Sequence, residues 1–384
     1  MDELEEARAS AAEQAATAHQ IQRTSVSSRR PLIIPDQSQT AATASDGAGF
    51  LGVATAAAQQ AVARLGALDA GKPLTPEQAA AVKQDLQQLI AEGAGSVPAI
   101  HQFLGQNKDL SLDEMKTGSP VGYGSLRAGM FDALRQIGGP EAQAALSGTL
   151  RTTGDPGEVA ALARHLESMA PGQYRDEAVN AARETLAEVV KGKTGTDVAP
   201  LFQVLQTYGD ANAVGDLQQA IPQYQHYGLL ALANMPEGQG IPTLIQQAQQ
   251  VTAGGTVKNV FASQMLAQIA SQYPEAGAAL VEQAKANQIP DRGWARIAEA
   301  LSGDQYQFVR DPGVDMSMLL KTPGTKTYHI NSGNENFYSN PLSANIPETD
   351  RAQRLALIDQ LLAANTQPAA AEALQKARSR LTGK

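Results

Sequence analysis

The chain has no cysteine in its 384 residues, which removes disulfide frameworks, CxxC redox chemistry and thiolate metal sites. It fixes no compartment. No run approaches the 18 or so apolar residues that a membrane-spanning helix needs. The first residues, MDELEEARAS, are acidic and lack the basic and apolar regions of a signal peptide. Basic charge is also short, with 30 Lys and Arg against 39 Asp and Glu and a net charge of −9. Nonspecific nucleic-acid binding rests on clustered cations that neutralise phosphates, so no nucleic-acid partner is expected. Arg29-Arg30 is the one adjacent basic pair, and it sits in polar sequence that reads as a solvated linker. Aromatic residues make up only 4% of the chain.

Signatures of catalysis are just as sparse. The five histidines, His19, His101, His165, His226 and His329, never fall within five positions of one another, so no helical metal pair exists. His101, His165 and His226 lie among apolar residues and read as half-buried structural groups. GKT at 192–194 lacks the glycine five residues before Gly192, where Ala187 stands, and follows a helical pattern instead of a strand. Helix termination by glycine explains it. GYGSL at 122–126 has Leu126 where a nucleophile elbow needs glycine, so a capping turn is expected there. Asp311, Asp315 and Glu335 have no spacing that implies acid–base chemistry. No cofactor, metal site or catalytic residue is predicted.

What the chain has in abundance is Ala, Leu, Gln and Glu, the side chains of closely packed helices. Residues 1–22 read as a charged helical or stalk-like segment with a weak heptad of mostly alanine. Residues 23–49 are rich in Ser, Thr, Pro and Gly and read as a disordered linker, with PLIIP at 31–35 its one apolar patch. The helical body is expected over 50–308. Thr75-Pro76-Glu77-Gln78 carries the elements of a capping box, followed by Ala79, Val82, Leu86, Leu89 and Ile90 at helical spacing and a stop at Gly93.

Helix, tight turn and second helix then recur. LRAGMFDALRQIGGPEAQAALSGTL (126–150) is the clearest unit. Turns at Gly139, Pro171, Gly209, Pro236, Pro274 and Gly303 fall about 33 residues apart, a period that marks stacked helix pairs. The stretch 295–308 is expected to begin one more pair. Arg127, Ala128, Phe131, Ala133-Leu134, Ile137-Gly138 and Pro140-Glu141-Ala142 resemble the unit of bacterial HEAT-like repeat proteins, over roughly 95–308. The resemblance implies an all-α fold, an irregular α-solenoid of stacked antiparallel helix pairs.

The helical period stops at 304–347. Here TKTYHIN (325–331) and ENFYSN (335–340) read as a β-hairpin with Tyr328 and Ile330 on one face. The nonhelical, aromatic-rich insert is placed at 309–347, and capping helices close the chain at 348–384. Tyr306, Phe308, Tyr328, Phe337 and Tyr338 gather five of the 17 aromatics into 33 residues. With His329 they are the candidate partner-binding residues, because aromatics dominate recognition hot spots. The competing reading makes them a small satellite core that pins the insert.

Two functions stay open on this basis. One is a nonenzymatic scaffold that binds a protein or peptide partner along a concave helical surface. Its second helices would offer Gln218, Gln219, Gln246, Gln247, Gln249, Gln250 and Gln283. The other is an all-helical enzyme or glycan-binding protein with its site under the 304–347 insert. A bacterial envelope or periplasmic location, with an anchor upstream of this sequence, and a cytoplasmic one both fit.

Overall fold

A computed structural model describes residues 52–69, 74–106, 108–112, 121–192, 197–308, 323–330, 335–341 and 346–383. The stalk and linker segments, with Arg29-Arg30 and PLIIP, lie outside these residues. So do His19, Asp311, Asp315 and most of GKT. The described chain is mostly helical with one small antiparallel sheet. No described helix is long and apolar enough to cross a membrane. Packing divides it into two compact units, the first up to Leu201 and the second from Phe202.

The first unit holds α1 (Ala56–Gly66), α2 (Pro76–Glu92), α3 (Val97–Leu104), α4 (Leu126–Ile137), α5 (Gly139–Thr152), α6 (Pro156–Met169) and α7 (Arg175–Lys191). The capping box at α2 forms as its residues require, with Gln78 N donating to Thr75 Oγ1 and Thr75 N to Gln78 Oε1. Ser125 of the GYGSL stretch caps α4 by accepting from Ala128 N. Between α4 and α5 only Gly138 intervenes. Gly138 and Gly139 have φ of +71° and +80°, a conformation that side chains resist, so the chain reverses there with no loop. Leu86, Met130, Leu134, Leu146 and Leu166 form the interior, filled between by alanines.

Neighbours in this unit are also tied by side chains one helix pair apart. Arg127, buried at the start of α4, donates Nη2 to Glu158 Oε2 of α6 at 2.9 Å and Nη1 to Leu104 O at 2.7 Å. Ser147 Oγ of α5 donates to Glu177 Oε2 of α7 at 2.7 Å. The two contacts span 31 and 30 residues. Buried charge needs a partner of this kind.

His165 of α6 is partly buried, and loss of water contact pulls its pKa down to about 4. The unfolded chain has an ordinary histidine near 6.5. Between those values the unfolded chain binds the extra proton, so stability is intact above about 6.5 and is lost as pH falls toward about 4. Urea unfolding of the native chain should therefore show a loss of about 2–3 kcal/mol across that window. His165→Leu should remove that part of the pH dependence. An unchanged acid profile in the variant would rule out His165 as the source.

The second unit contains α8 (Ala199–Tyr208, within which the division falls), α9 (Ala211–Ala220), α10 (Gln225–Ala233), α11 (Ile241–Gln249), α12 (Val260–Ile269), α13 (Pro274–Lys285) and α14 (Asp291–Leu301). The strands β1 (Asp304–Phe308), β2 (Lys326–Ile330) and β3 (Glu335–Pro341) follow, then α15 (Glu348–Ala364) and α16 (Pro368–Thr382). Helix α12 is its centre, with every residue from Phe261 to Ile269 buried. The last two helices close over α13 and α14. Arg354 Nη1 donates to the C-terminal carbonyls of Ala300 and Leu301, at 3.1 Å each, and Trp294 Nε1 donates to Gln367 Oε1 at 2.6 Å.

One element departs from the sequence reading. The helical stretch expected to continue through 308 ends at Leu301, and Asp304–Phe308 is a strand. Gly303, at φ +113°, turns the chain out of the helix. DQYQF then alternates buried and half-buried residues, a period of two. Five residues are too few for that pattern to stand out from the end of a helix.

Candidate functional site

The three strands form a sheet in the order β1-β3-β2, antiparallel throughout. The register places Phe308 opposite Phe337 and Phe337 opposite Tyr328. These three rings make a row across one face, because residues directly opposite share a face. Tyr328 and Phe337 stack, with centroids 5.0 Å apart and planes at 13°. Tyr306 lies on the same face, in ring contact with Phe261, Tyr328 and Phe337. Burial pushes its phenol well above the ordinary tyrosine range, so it stays protonated.

That face lies on helices. Phe337 meets Phe261 of α12 at 5.4 Å and stacks on His226 of α10 at 5.5 Å. Phe308 meets Tyr227 at 5.4 Å and Phe202 at 6.5 Å. The rings of the insert and those of the helices thus form one cluster.

Polar contacts fix the sheet's position. Glu335, only 2% exposed, stands at the start of β3. Its Oε1 accepts from Tyr227 N at 2.7 Å, and its Oε2 lies 2.9 Å from His226 Nδ1. Tyr224, at the N-cap of α10, offers no side-chain cap. A carboxylate from the sheet therefore supplies the acceptor that the helix's first turn lacks. Tyr227 returns the contact, its Oη accepting from Asn336 N at 2.5 Å. On β1, Gln268 of α12 pairs with one strand residue as another strand would. Its Oε1 accepts from Tyr306 N at 2.7 Å and its Nε2 donates to Tyr306 O at 3.3 Å. The outer edge of β1 is thereby held by a helix.

Of the candidate residues, Tyr306, Phe308, Phe337 and Tyr338 are buried. Tyr338 faces away from the ring cluster and donates its hydroxyl to Gln307 Oε1 at 2.8 Å. Tyr328 is half-buried and His329 exposed, so these two are the candidates a partner can reach. His329 Nδ1 pairs with Asn336 Oδ1 across the strands. Among the glutamines, Gln218, Gln219, Gln246, Gln249 and Gln250 are exposed and Gln247 is half-buried. Gln283 is instead buried, its Oε1 accepting from Ser263 Oγ and its Nε2 donating to Ala248 O. It ties α11, α12 and α13 together and offers nothing to a groove.

Sequence reasoning passed over the residues that do most to place the sheet. In the sequence Glu335 has no acid–base spacing and His226 reads as a half-buried structural group, and neither Gln268 nor Phe261 is singled out. The pairing of Glu335 with Tyr227 spans 108 residues, and no local pattern encodes it.

A cleft of about 130 Å³ opens beside β1, lined by Asn234, Gln268, Gln272, Tyr273 and Gln305 among others. Ligand pockets begin near 300 Å³. Among the described residues, no group of three or more metal-ligating side chains occurs. Compared with protein-family models, with curated proteins and with solved structures, the chain finds no match.

Proposed function

We propose that the chain is a nonenzymatic, HEAT-like helical-repeat scaffold that binds a protein or peptide partner. The observation that carries this reading is like-with-like stacking of alternate helices within each unit. In the first, α2 packs on α4 and α4 on α6, while α5 packs on α7. In the second, α10 packs on α12 and α12 on α14, while α11 packs on α13 and α13 on α15. First helices touching first helices and second touching second is the packing of an α-solenoid, which offers long surfaces to extended partners. The ties at 30 and 31 residues between Ser147 and Glu177 and between Arg127 and Glu158 support the same repeat.

The small cleft favours this reading over a sugar-binding or catalytic one. At about 130 Å³, the cleft beside β1 lies below the usual range of ligand pockets. Panning displayed random peptides on the folded protein, alongside a glycan array, tests the choice. The scaffold reading expects peptides to be enriched and glycans to stay unbound. Specific glycan binding with no peptide enrichment would overturn it.

A further inference from the structure

The sheet has two outer edges, and they differ. Gln268 occupies the Tyr306 backbone on β1. Tyr306 N–H and C=O thus point away from β3, which makes Tyr306–Ser339 a pair without mutual hydrogen bonds. Alternation then turns the backbone groups of Tyr338 and Asn340 toward β1, and those of Glu335, Phe337 and Ser339 toward β2. The Asn336 N–H bond to Tyr227, on the β1 side, agrees with this assignment. Lys326, Tyr328 and Ile330 consequently bond to β3, while Thr327 and His329 aim their N–H and C=O groups outward. Among the described residues, neither gives those groups to another segment.

We propose that this edge of β2 is a strand-addition site for an extended segment of a partner polypeptide. Unpaired strand backbone recognises another backbone by its own hydrogen-bonding pattern. Two N–H and two C=O groups, on Thr327 and His329, accept two guest residues separated by one. The middle guest residue falls opposite Tyr328 on the face of the ring row. Phe308, Phe337 and Tyr328 run in register toward this edge, and the row ends on a half-buried ring. An aromatic or β-branched guest side chain continues it. A lysine projecting from an edge ordinarily blunts it, but Lys326 is held by Glu299 at 3.0 Å. β2 itself carries no carboxylate, so acidic guest flanks meet no like charge on the strand. This inference rests on the partner-binding reading above and gives it a place and a mode.

The probe is a capped seven-residue peptide library with a fixed central Ile, Val, Phe, Tyr or Trp and random flanks. A matched library carries N-methyl groups on the two residues beside the centre. Thr327→Pro/His329→Pro removes both outward donors, and edge strands tolerate proline where the N–H faces solvent. The native chain should bind the first library and not the methylated one. The proline variant should bind roughly 10- to 100-fold more weakly. If that variant fails to fold, the methylated library alone gives the answer on the native chain. Equal binding to both libraries, or equal binding by a folded proline variant, overturns strand addition and leaves peptide recognition elsewhere on the scaffold. Self-association that the proline substitutions abolish, with neither library bound, would make the occupant a second copy and also overturn the proposal. Binding of a helical partner alone, with no response at β2, overturns this inference and keeps the scaffold.

Discussion

Phe337→Ala should destabilise the second unit by about 3–5 kcal/mol, the range for emptying a fully packed aromatic site. Phe337 is 2% exposed and lies in ring contact with His226, Phe261, Tyr306 and Tyr328. Among the described residues, no other ring contacts α10, α12 and both outer strands. Its removal leaves a cavity between sheet and helices that rigid strands cannot collapse into. Calorimetry should register a fall of about 10 °C or more in the transition that includes residues 202–383. A shift below about 2 °C would mean that the ring cluster does not hold the sheet in place.

Glu335→Ala should cost about 3 kcal/mol or more, because it strands two groups at once. Tyr227 N–H loses the Glu335 carboxylate as acceptor at the first turn of α10, and His226 loses its carboxylate partner. Glu335→Gln retains a carbonyl oxygen for Tyr227 N–H and should recover a good part of the loss. Equilibrium urea unfolding of the native chain and both variants separates the outcomes. Equal destabilisation by Ala and Gln would place the whole effect in the lost carboxylate charge and none in the acceptor for Tyr227 N–H. No loss in either would show that the carboxylate cap contributes nothing to docking.

Much of the helical organisation was legible in the sequence because it is local. Caps such as Thr75 and Ser125, proline at helix starts and the Gly138-Gly139 reversal act over a few residues, and each does so in the folded chain. The β2–β3 pairing was legible for the same reason, since the two strands are neighbours in sequence. Strand β1 was not, because its partner β3 lies some 30 residues away and its five residues follow a helix directly. The aromatic clustering signalled a special region but not its interior. Which rings face α10 and α12 depends on register, and register depends on Glu335 and Gln268 finding partners far along the chain. Gln283 illustrates the opposite error, a polar residue taken for surface that is buried with both ends of its amide satisfied.

The central claim is that the sheet is docked on the helices with one edge left open. Site-resolved amide hydrogen exchange of the free protein tests it directly. The amides of Tyr328 and Ile330, bonded to β3, should exchange slowly, and those of Thr327 and His329 should exchange fast, alternating along a single strand. Fast exchange at all four would contradict docking of β2, and slow exchange at all four would contradict an open edge.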